Sequence, residues 1–469
     1  MPANRSGPLT QMIHLVFRDV TPVRLRLYFV VNCFSAIMFC LLSMITIKQH
    51  AHAVKTVGHD AAPSVIAAHQ IKIGVEKMDT ALANELLYAP NQPENQDMLL
   101  AFEKWRTVTG KELVNAAENI TYGETEKIPI DNIQSALGKY EQLAQSARDA
   151  HRAGNSAETL SRYRNALATL EKELLPNADA LNKANADKLE STYAQEESRS
   201  ALSCGFLVVM GFALVALLLT THIYLTKRFR RKLNVPLLIA TLATALFVRN
   251  LYSGLRANAG QLKLAKEDAY DSVVDLLDAS SNAYGADAAE SRWLLDRDHA
   301  PIHEKYFLDK ISTVANFTGG HNFSNTIALA RKQLAQGNKY RLPGFSGSLA
   351  DELDNVRFEG EGRAALDALE AFADYCATDT NMRQLENSGK HADALRIGLG
   401  YSPNQSKWWF TRFDDALQRT LAINQEHFRQ AVNKASGHLS GLTALSEALV
   451  LLTLVCIYLG LRDRMAEYG

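Results

Sequence analysis

The stretch ALSCGFLVVMGFALVALLLTTHIYLTKRFRRKLNVPLLIATLATALFVRNLYSGLR, residues 201–256, contains two apolar runs separated by a basic segment. The first run has no formal charge and is long enough to cross a bilayer as a helix, which we assign to 201–226. The second, assigned to 233–255, has a shorter purely apolar part and carries Arg249 near its far end. Five of the six residues at 227–232 are lysine or arginine, and short basic loops of this kind stay on the cytoplasmic side. The stretch therefore predicts two membrane helices joined by a cytoplasmic connector.

Two further apolar runs predict a four-span topology. The run at 27–47 follows a segment with several arginines, which places residues 1–26 in the cytoplasm. No small-x-small cleavage site precedes Lys48, so we interpret this run as a retained signal anchor rather than a signal peptide. The last run, 439–461, leads to a tail at 462–469 whose two arginines also indicate the cytoplasm. We expect a multi-pass plasma-membrane protein with both termini cytoplasmic and its bulk outside.

Composition argues against several classes of protein. The chain has 50 basic and 51 acidic residues, a balance that argues against nucleic-acid or general anion binding. Of the five cysteines only Cys376 lies in a polar segment, so no disulfide framework and no Cys/His metal pattern is expected. No nucleophile–base pair, phosphate-binding loop or paired-carboxylate motif stands out. We therefore expect no enzymatic activity, no catalytic residues, no metal and no cofactor.

The polar segments at 48–200 and 256–438 are predicted to be helical bundles outside the membrane. In the first, an apolar helical face is formed by Ile71, Val75, Met78, Leu82 and Leu86. Asn155 and Glu158 resemble a capping box, and Pro176 is expected to kink the helix that leads into the second span. Amphipathic helices with short connections favour a four-helix bundle.

The second polar segment repeats this pattern at greater length. A long helix is expected up to Leu295, followed by less regular material, helices over 349–384 and 386–397, and a last helix from about Trp408. Asn185 and Asn424 lie in similar sequences at similar distances before the second and fourth spans. The predicted fold is therefore all-α, with four transmembrane helices, two extracytoplasmic bundles and an internal duplication.

Two charges lie within the predicted spans. Arg249 and Glu447 are expected at a similar depth, roughly 10 Å below the outer boundary, from the 1.5 Å rise per helical residue. Three interpretations remain open: a structural ion pair, a snorkelling arginine with a protonated glutamate, or part of a proton or ion pathway.

Candidate contact residues outside the membrane are few. Trp408 and Trp409 follow a Gly/Pro loop, where they either anchor an interface or fill the core of the second bundle. Arg162, Arg164 and Arg292 are able to hold a carboxylate ligand, although a solvated helix face also explains them.

The basic connector is the main candidate surface for a cytoplasmic partner. Its contact residues are Lys227, Arg228, Arg230, Arg231 and Lys232. The alternative is that these residues only orient the chain in the membrane.

The layout and two short motifs carry a resemblance to a known family. The order span–bundle–span–basic connector–span–bundle–span, the tail Arg464-Met465-Ala466-Glu467-Tyr468 and the kink at Leu174-Leu175-Pro176 are similar to the GlnX-type family of actinobacterial four-span membrane proteins. The bundles also resemble the four-helix-bundle sensor domains of bacterial chemoreceptors. The GlnX-type resemblance implies a relay in which the lipoprotein GlnH senses aspartate or glutamate outside and the serine/threonine protein kinase G responds inside. It implies no catalytic residues.

The sequence thus predicts a membrane signal relay. Its expected partners are an extracytoplasmic solute-binding lipoprotein, a cytoplasmic protein kinase and membrane lipids, without nucleic acid, and a homodimer is also compatible with the sequence. The alternatives are a stand-alone receptor that binds a small molecule within one bundle, a transporter, or a scaffold. A transporter would be expected to show Gly/Pro-broken spans and several intramembrane polar groups.

Overall fold

The computed structural model describes residues 21–120, 123–229, 233–336 and 342–467. It is all-α apart from one short pair of strands. In chain order the helices are α1 (Thr21–Lys55), α2 (Ala62–Leu87), α3 (Pro93–Glu118), α4 (Glu124–Arg152), α5 (Ser156–Thr169), α6 (Leu175–Phe229), α7 (Val235–Lys263), α8 (Asp271–Leu295), α9 (Ala300–Val314), α10 (Phe323–Gln336), α11 (Ser348–Asp354), α12 (Glu361–Asn387), α13 (His391–Gly398) and α14 (Ser406–Ala466). Strands β1 (Asn316–Phe317) and β2 (Phe345–Ser346) pair antiparallel, with Asn316 opposite Ser346.

The chain divides into two compact units. The span unit contains the described residues within 1–55, 192–262 and 431–469, and the bundle unit contains those within 56–191 and 263–430. Within the described chain, four helical runs are long and apolar enough to cross a membrane: Thr21–Leu87, Ser156–Phe229, Val235–Leu295 and Ser406–Ala466. Each of the four predicted spans lies inside one of these runs.

Helices of the span unit contact one another through close packing and polar side chains. Gly211 lies so close to α7 that an added Cβ would be 2.4 Å from a methyl group of Val248. Asn32 Nδ2 of α1 donates to Thr221 Oγ1 of α6 at 2.9 Å. Small residues and interhelical hydrogen bonds of this kind hold helices together where the hydrophobic effect cannot distinguish helix from lipid.

Three short π-helical segments interrupt the long helical runs. One, Leu170–Leu174, directly precedes Pro176, whose ring and missing N–H disturb the preceding turn of an α-helix. The other two, Thr56–Ala61 and Leu264–Tyr270, each join an apolar helix to a bundle helix and begin 208 positions apart. At the predicted kink before Pro176, the helix forms a π-helical turn.

The two matching asparagines also have matching environments. Asn185 and Asn424 are both fully buried, and each donates its Nδ2 to the carbonyl oxygen four residues earlier. Together with the two π-helical segments at corresponding places, this similarity favours the predicted duplication, which stays a prediction.

The core of the bundle unit follows the predicted apolar face of α2. Ile71, Val75, Met78 and Leu82 are buried against α4, α5 and α6. A second cluster surrounds Phe372 of α12 and includes residues of α8 and α14. Helices α2 and α8 also pack against each other, because both contribute to the interior of the same compact unit. This packing does not test the predicted residue bounds of the two bundles.

Three local predictions can be compared with the structure: one helix cap, one long helix and one irregular region. Asn155 Oδ1 accepts a hydrogen bond from the Glu158 backbone N–H at 3.2 Å, which is the expected cap of α5. The helix expected over 349–384 is divided into α11 and α12, because Gly360 adopts a φ of 84° at the start of α12. Helices α9 and α10 lie in the region that the sequence pattern left irregular.

Candidate functional site

A buried ion network centred on Arg292 joins α8 to α2. The Arg292 side chain is 0% exposed, and its Nε lies 2.7 Å from Asp79 Oδ2. Its Nη2 lies 3.5 Å from Glu76 Oε2, so one guanidinium contacts two carboxylates on the same helix. Removing charges from water is costly unless they are paired and hydrogen-bonded. The network therefore fixes α8 and α2 against each other.

Three tyrosines from other helices complete the network. Tyr140 of α4 and Tyr163 of α5 donate their hydroxyls to Asp79 at 3.2 Å, and Tyr306 of α9 donates to Glu76 Oε1 at 3.3 Å. Asp79 thus accepts hydrogen bonds from three side chains that belong to three helices. The Asp79 carboxylate is the group on which these three helices converge.

The pKa values in this network follow from burial and charge. Burial raises the pKa of Glu76, which Arg292 opposes only in part. Burial would lower the pKa of Arg292, but the carboxylate of Asp79 raises it well above its usual value. Burial, followed by the charge of Asp79, raises the pKa values of Tyr140 and Tyr163. Arg292 therefore stays charged and the two tyrosines stay hydrogen-bond donors.

A second buried centre surrounds Lys407 at the start of α14. Its Nζ lies 2.6 Å from Asp287 Oδ1 and 3.7 Å from Glu290 Oε1, both on α8. Ser406 Oγ donates to Glu290 Oε1 at 2.8 Å. Burial raises the pKa of Glu290 to about 8, although Lys407 opposes the shift. At neutral pH Glu290 is therefore mainly protonated, and Asp287 is the carboxylate that balances Lys407.

A cavity of about 170 Å³ lies beside this second centre, within the bundle unit. One wall is formed by residues of α2 and α3, among them Lys77, Thr80, Asn84 and Trp105. The facing wall includes Tyr284 of α8 together with residues of the segment that begins α14. The Lys77 ammonium lies between two rings, 3.9 Å from the centroid of Trp105 and 4.1 Å from that of Tyr284.

The structure corrects the prediction that Arg292 contacts an external partner. Arg292 is the largest fully buried side chain among the residues described, and its guanidinium is occupied by Asp79 and Glu76. Arg164 is engaged in a similar way, with its Nε 2.7 Å from Asp296 Oδ2. Arg162 and Arg164 both lie on a partly exposed helix face, where Arg162 pairs with Glu158.

The two candidate tryptophans are half-buried. Trp408 and Trp409 pack edge to face at 4.3 Å between ring centroids, and the next residue, Phe410, is buried in the core. Trp409 packs partly against that core and also lines an open groove beside Arg412. The interface and core interpretations therefore each account for part of this segment, and a role in partner contact stays a prediction.

The structure does not bring the two intramembrane charges together. Arg249 and Glu447 are both exposed on helices of the span unit, and within the described part of the chain no ion pair or hydrogen bond joins them. The predicted charge pair stays a prediction.

The basic connector is described only at its beginning. Lys227 and Arg228 end α6, and Arg228 Nη2 donates to Thr21 Oγ1 of α1 at 2.9 Å. Arg230, Arg231 and Lys232 lie outside the described residues. Among the residues that are described, no group of three His, Cys, Asp or Glu side chains is placed to hold a metal ion.

Residues 53–194 match the family model described as "Actinobacterial sensor domain". The matched segment contributes Asp79, Tyr140 and Tyr163 to the ion network and Lys77 and Trp105 to the cavity. No curated protein and no solved structure matches the chain. The sensor-domain match and the four candidate spans fit a membrane sensor of actinobacterial type.

The sequence contained one indication of this network. Glu76 directly follows Val75 and Asp79 directly follows Met78 along α2, so two acidic residues lie in a stretch that is buried almost throughout. Charged residues at core positions are rarely fully buried without a partner. The partner itself was not identifiable, because Arg292 lies 213 positions further along the chain.

Replacing Arg292 by methionine is expected to destabilise the bundle unit strongly. The R292M change leaves Asp79 and Glu76 buried without their cation, and breaking a buried pair in this way costs about 3–5 kcal/mol. All four tryptophans lie in the bundle unit, so urea unfolding of the full-length solubilised protein followed by tryptophan fluorescence measures this loss.

The matched control is R162M, which removes a partly exposed arginine from a pair with Glu158 one turn away. Exposed pairs of this type contribute less than about 1 kcal/mol. Equal unfolding free energies for R292M and R162M would show that the buried network is not a stabilising contact.

Replacing Glu290 by glutamine is expected to weaken the dependence of stability on pH. Because the pKa of Glu290 rises to about 8 in the folded protein from about 4.3 when unfolded, its protonated form contributes stability at low pH. This contribution is lost as the pH increases towards 8, at up to about 1.4 kcal/mol per pH unit. Urea unfolding between pH 5 and 8 should therefore show a steeper decline for wild type than for E290Q.

The exposed Glu94 at the start of α3 provides the control, and E94Q is expected to keep the wild-type slope. Parallel pH profiles for wild type and E290Q would rule out the assigned protonation of Glu290.

Proposed function

We propose that this protein is an integral membrane signal relay, which couples an extracytoplasmic event to a cytoplasmic partner. The observation that carries the proposal is the buried contact of Arg292 with Asp79. These residues belong to the helical runs Val235–Leu295 and Thr21–Leu87, and each run also contains an apolar window long enough to span a membrane. An event that changes how α2 and α8 pack thus acts on two helical runs that also contain candidate spans.

The orientation in this proposal rests on the distribution of basic residues. The connector at 227–232 and the arginines before the first span favour the cytoplasmic side. The bundle unit is then extracytoplasmic, in agreement with the role expected of a sensor domain. In this proposal a separate protein produces the cytoplasmic response.

The partners that we propose are a solute-binding lipoprotein outside and a serine/threonine kinase inside. Support comes from the resemblance of the layout and the tail at 464–468 to GlnX-type proteins, and from the sensor-domain match. In this proposal the lipoprotein senses aspartate or glutamate and docks on the bundle unit. The basic connector is the proposed contact for the kinase.

The proposed signal is a small shift of packed helices. Packed interiors rearrange between discrete arrangements rather than deforming continuously, and helix shifts of about 1–2 Å are a common form of such a transition. Arg292 limits the arrangements available, because any shift of α8 along α2 must keep its guanidinium beside Asp79 or Glu76.

A stand-alone small-molecule receptor is the second candidate function. The observation that favours it is the cavity beside Lys77, which has walls from both α2 and α8. A ligand seated there would contact the same two helices as the Arg292 network.

The relay predicts a defined pair of partners in native membranes. Affinity-tagged full-length protein, purified from membranes incubated with or without L-glutamate and L-aspartate, should recover a solute-binding lipoprotein and a serine/threonine kinase. Mass spectrometry identifies both, and the amount of at least one should change with the amino acids. A variant with Arg228, Arg230 and Arg231 replaced by glutamine should lose the kinase and keep the lipoprotein.

Membrane topology of this variant is checked by the accessibility of a single introduced cysteine, since the same residues also orient the chain. If neither a lipoprotein nor a kinase is recovered from wild type, the relay is wrong. If topology and kinase recovery both survive the substitutions, the connector is only a linker.

A further inference from the structure

The cavity beside Lys77 has the features of a ligand site. It lies entirely within the bundle unit, and its volume of about 170 Å³ is comparable to that of an engineered cavity of about 150 Å³ that binds one benzene molecule. The cavity therefore suits a molecule of that size. Unlike a dry apolar void, it carries charged and polar side chains on its walls.

Lys77 supplies a positive charge that has no acidic partner at ion-pair distance among the described residues. Its ammonium is flanked by the rings of Trp105 and Tyr284, which contact the cation by their faces and accept no conventional hydrogen bond. A lysine ammonium has three donors. A ligand in the cavity could therefore accept hydrogen bonds from the Lys77 ammonium.

Two acidic residues near this lysine, Asp287 and Asp414, each have another partner, and Asp414 Oδ1 is itself buried without one. Asp287 lies 2.6 Å from the Lys407 ammonium, and Asp414 Oδ2 accepts a hydrogen bond from the Tyr284 hydroxyl at 2.8 Å. The cavity wall thus contains two lysines, Lys77 and Lys407, against one aspartate, Asp287. The excess positive charge favours an anionic ligand over a cationic one.

Two residues that line the cavity each carry a buried polar atom without a partner. Thr80 Oγ1 and Asn84 Oδ1 are buried without a hydrogen-bond partner in the part of the chain that the structure describes. Asn84 is only 3% exposed. Both residues follow Lys77 on α2 at helical spacing, by three and seven positions, so they lie along the same face. Asn84 Oδ1 accepts hydrogen bonds and therefore calls for a donor.

We propose that this cavity binds a small carboxylate that also carries a hydroxyl or amino group. The ligand carboxylate contacts Lys77, and its hydroxyl or ammonium donates to Asn84 Oδ1 near Thr80. Trp105 and Tyr284 cover the carbon chain. This inference rests on the second candidate function, the small-molecule receptor, and binding is measured on the protein alone, without a partner.

The direct test uses L-malate and L-aspartate as probes, and succinate and 1,2,4-butanetriol as controls. L-malate and L-aspartate each combine a carboxylate with a donor, succinate lacks the donor, and 1,2,4-butanetriol lacks the carboxylates. Isothermal titration calorimetry of the full-length protein in nanodiscs is expected to detect binding of L-malate or L-aspartate. Succinate should bind more weakly, and the triol should not bind. Loss of one charge-assisted hydrogen bond should weaken the acid by about 10- to 100-fold in K77M.

Lys104 provides a matched control, because its ammonium also approaches the Trp105 ring, at 5.0 Å, but the residue is exposed and does not line the cavity. K104M is expected to bind the acids as wild type does. The proposal is wrong if wild type binds neither acid, if K77M keeps wild-type affinity, or if K104M loses as much affinity as K77M.

A second variant keeps the test decisive if K77M does not fold. N84A retains the cation but removes the acceptor, so it should weaken L-malate several-fold and leave succinate unchanged. Unchanged binding of L-malate to N84A would contradict the proposed donor contact. Failure of the partner-recovery experiment would leave these titrations unaffected, so the two proposals fail separately.

Discussion

A guanidinium buried away from water requires a carboxylate beside it, and here that carboxylate lies on a helix 213 positions earlier in the chain. Arg292 is fully buried, and Asp79 and Glu76 hold it on one side of α2. Tyr140 and Tyr163 satisfy the remaining acceptors of Asp79. Removing Arg292 leaves two buried carboxylates without their cation. The network therefore makes the sensor-matching segment and the second half of the chain depend on each other.

The other features of the bundle unit follow from this contact between α2 and α8. The Lys407 centre uses Asp287 and Glu290, which precede Arg292 on α8 by five and two positions. The cavity takes one wall from α2 and another from α8 and the start of α14, so it exists only while these helices are packed together. In the proposed function, a ligand or a docked protein changes this packing. The effect reaches the spans because α2 and α8 belong to helical runs that also contain apolar windows.

Local patterns in the sequence were sufficient for the all-α class, and each predicted span lies inside one of four long apolar helical runs of the described chain. The buried face of α2 and the cap at Asn155 were also predictable, because both depend on residues that are close in sequence. Arg292 was expected at the surface, since an arginine in an amphipathic helix is usually solvated and its distant acidic partner cannot be read from local spacing. The cavity was not predictable for the same reason: Lys77 and Tyr284 come together only in the tertiary structure.

Through this network Arg292 makes α2 and α8 one cooperative element. Hydrogen–deuterium exchange of the full-length protein, with R292M compared against R162M, tests this coupling, because exchange reports the opening of each helix separately. We expect R292M to accelerate exchange in both Ala62–Leu87 and Asp271–Leu295 by similar factors, whereas R162M should change neither. Faster exchange in Asp271–Leu295 alone, with Ala62–Leu87 as protected as in wild type, would contradict it.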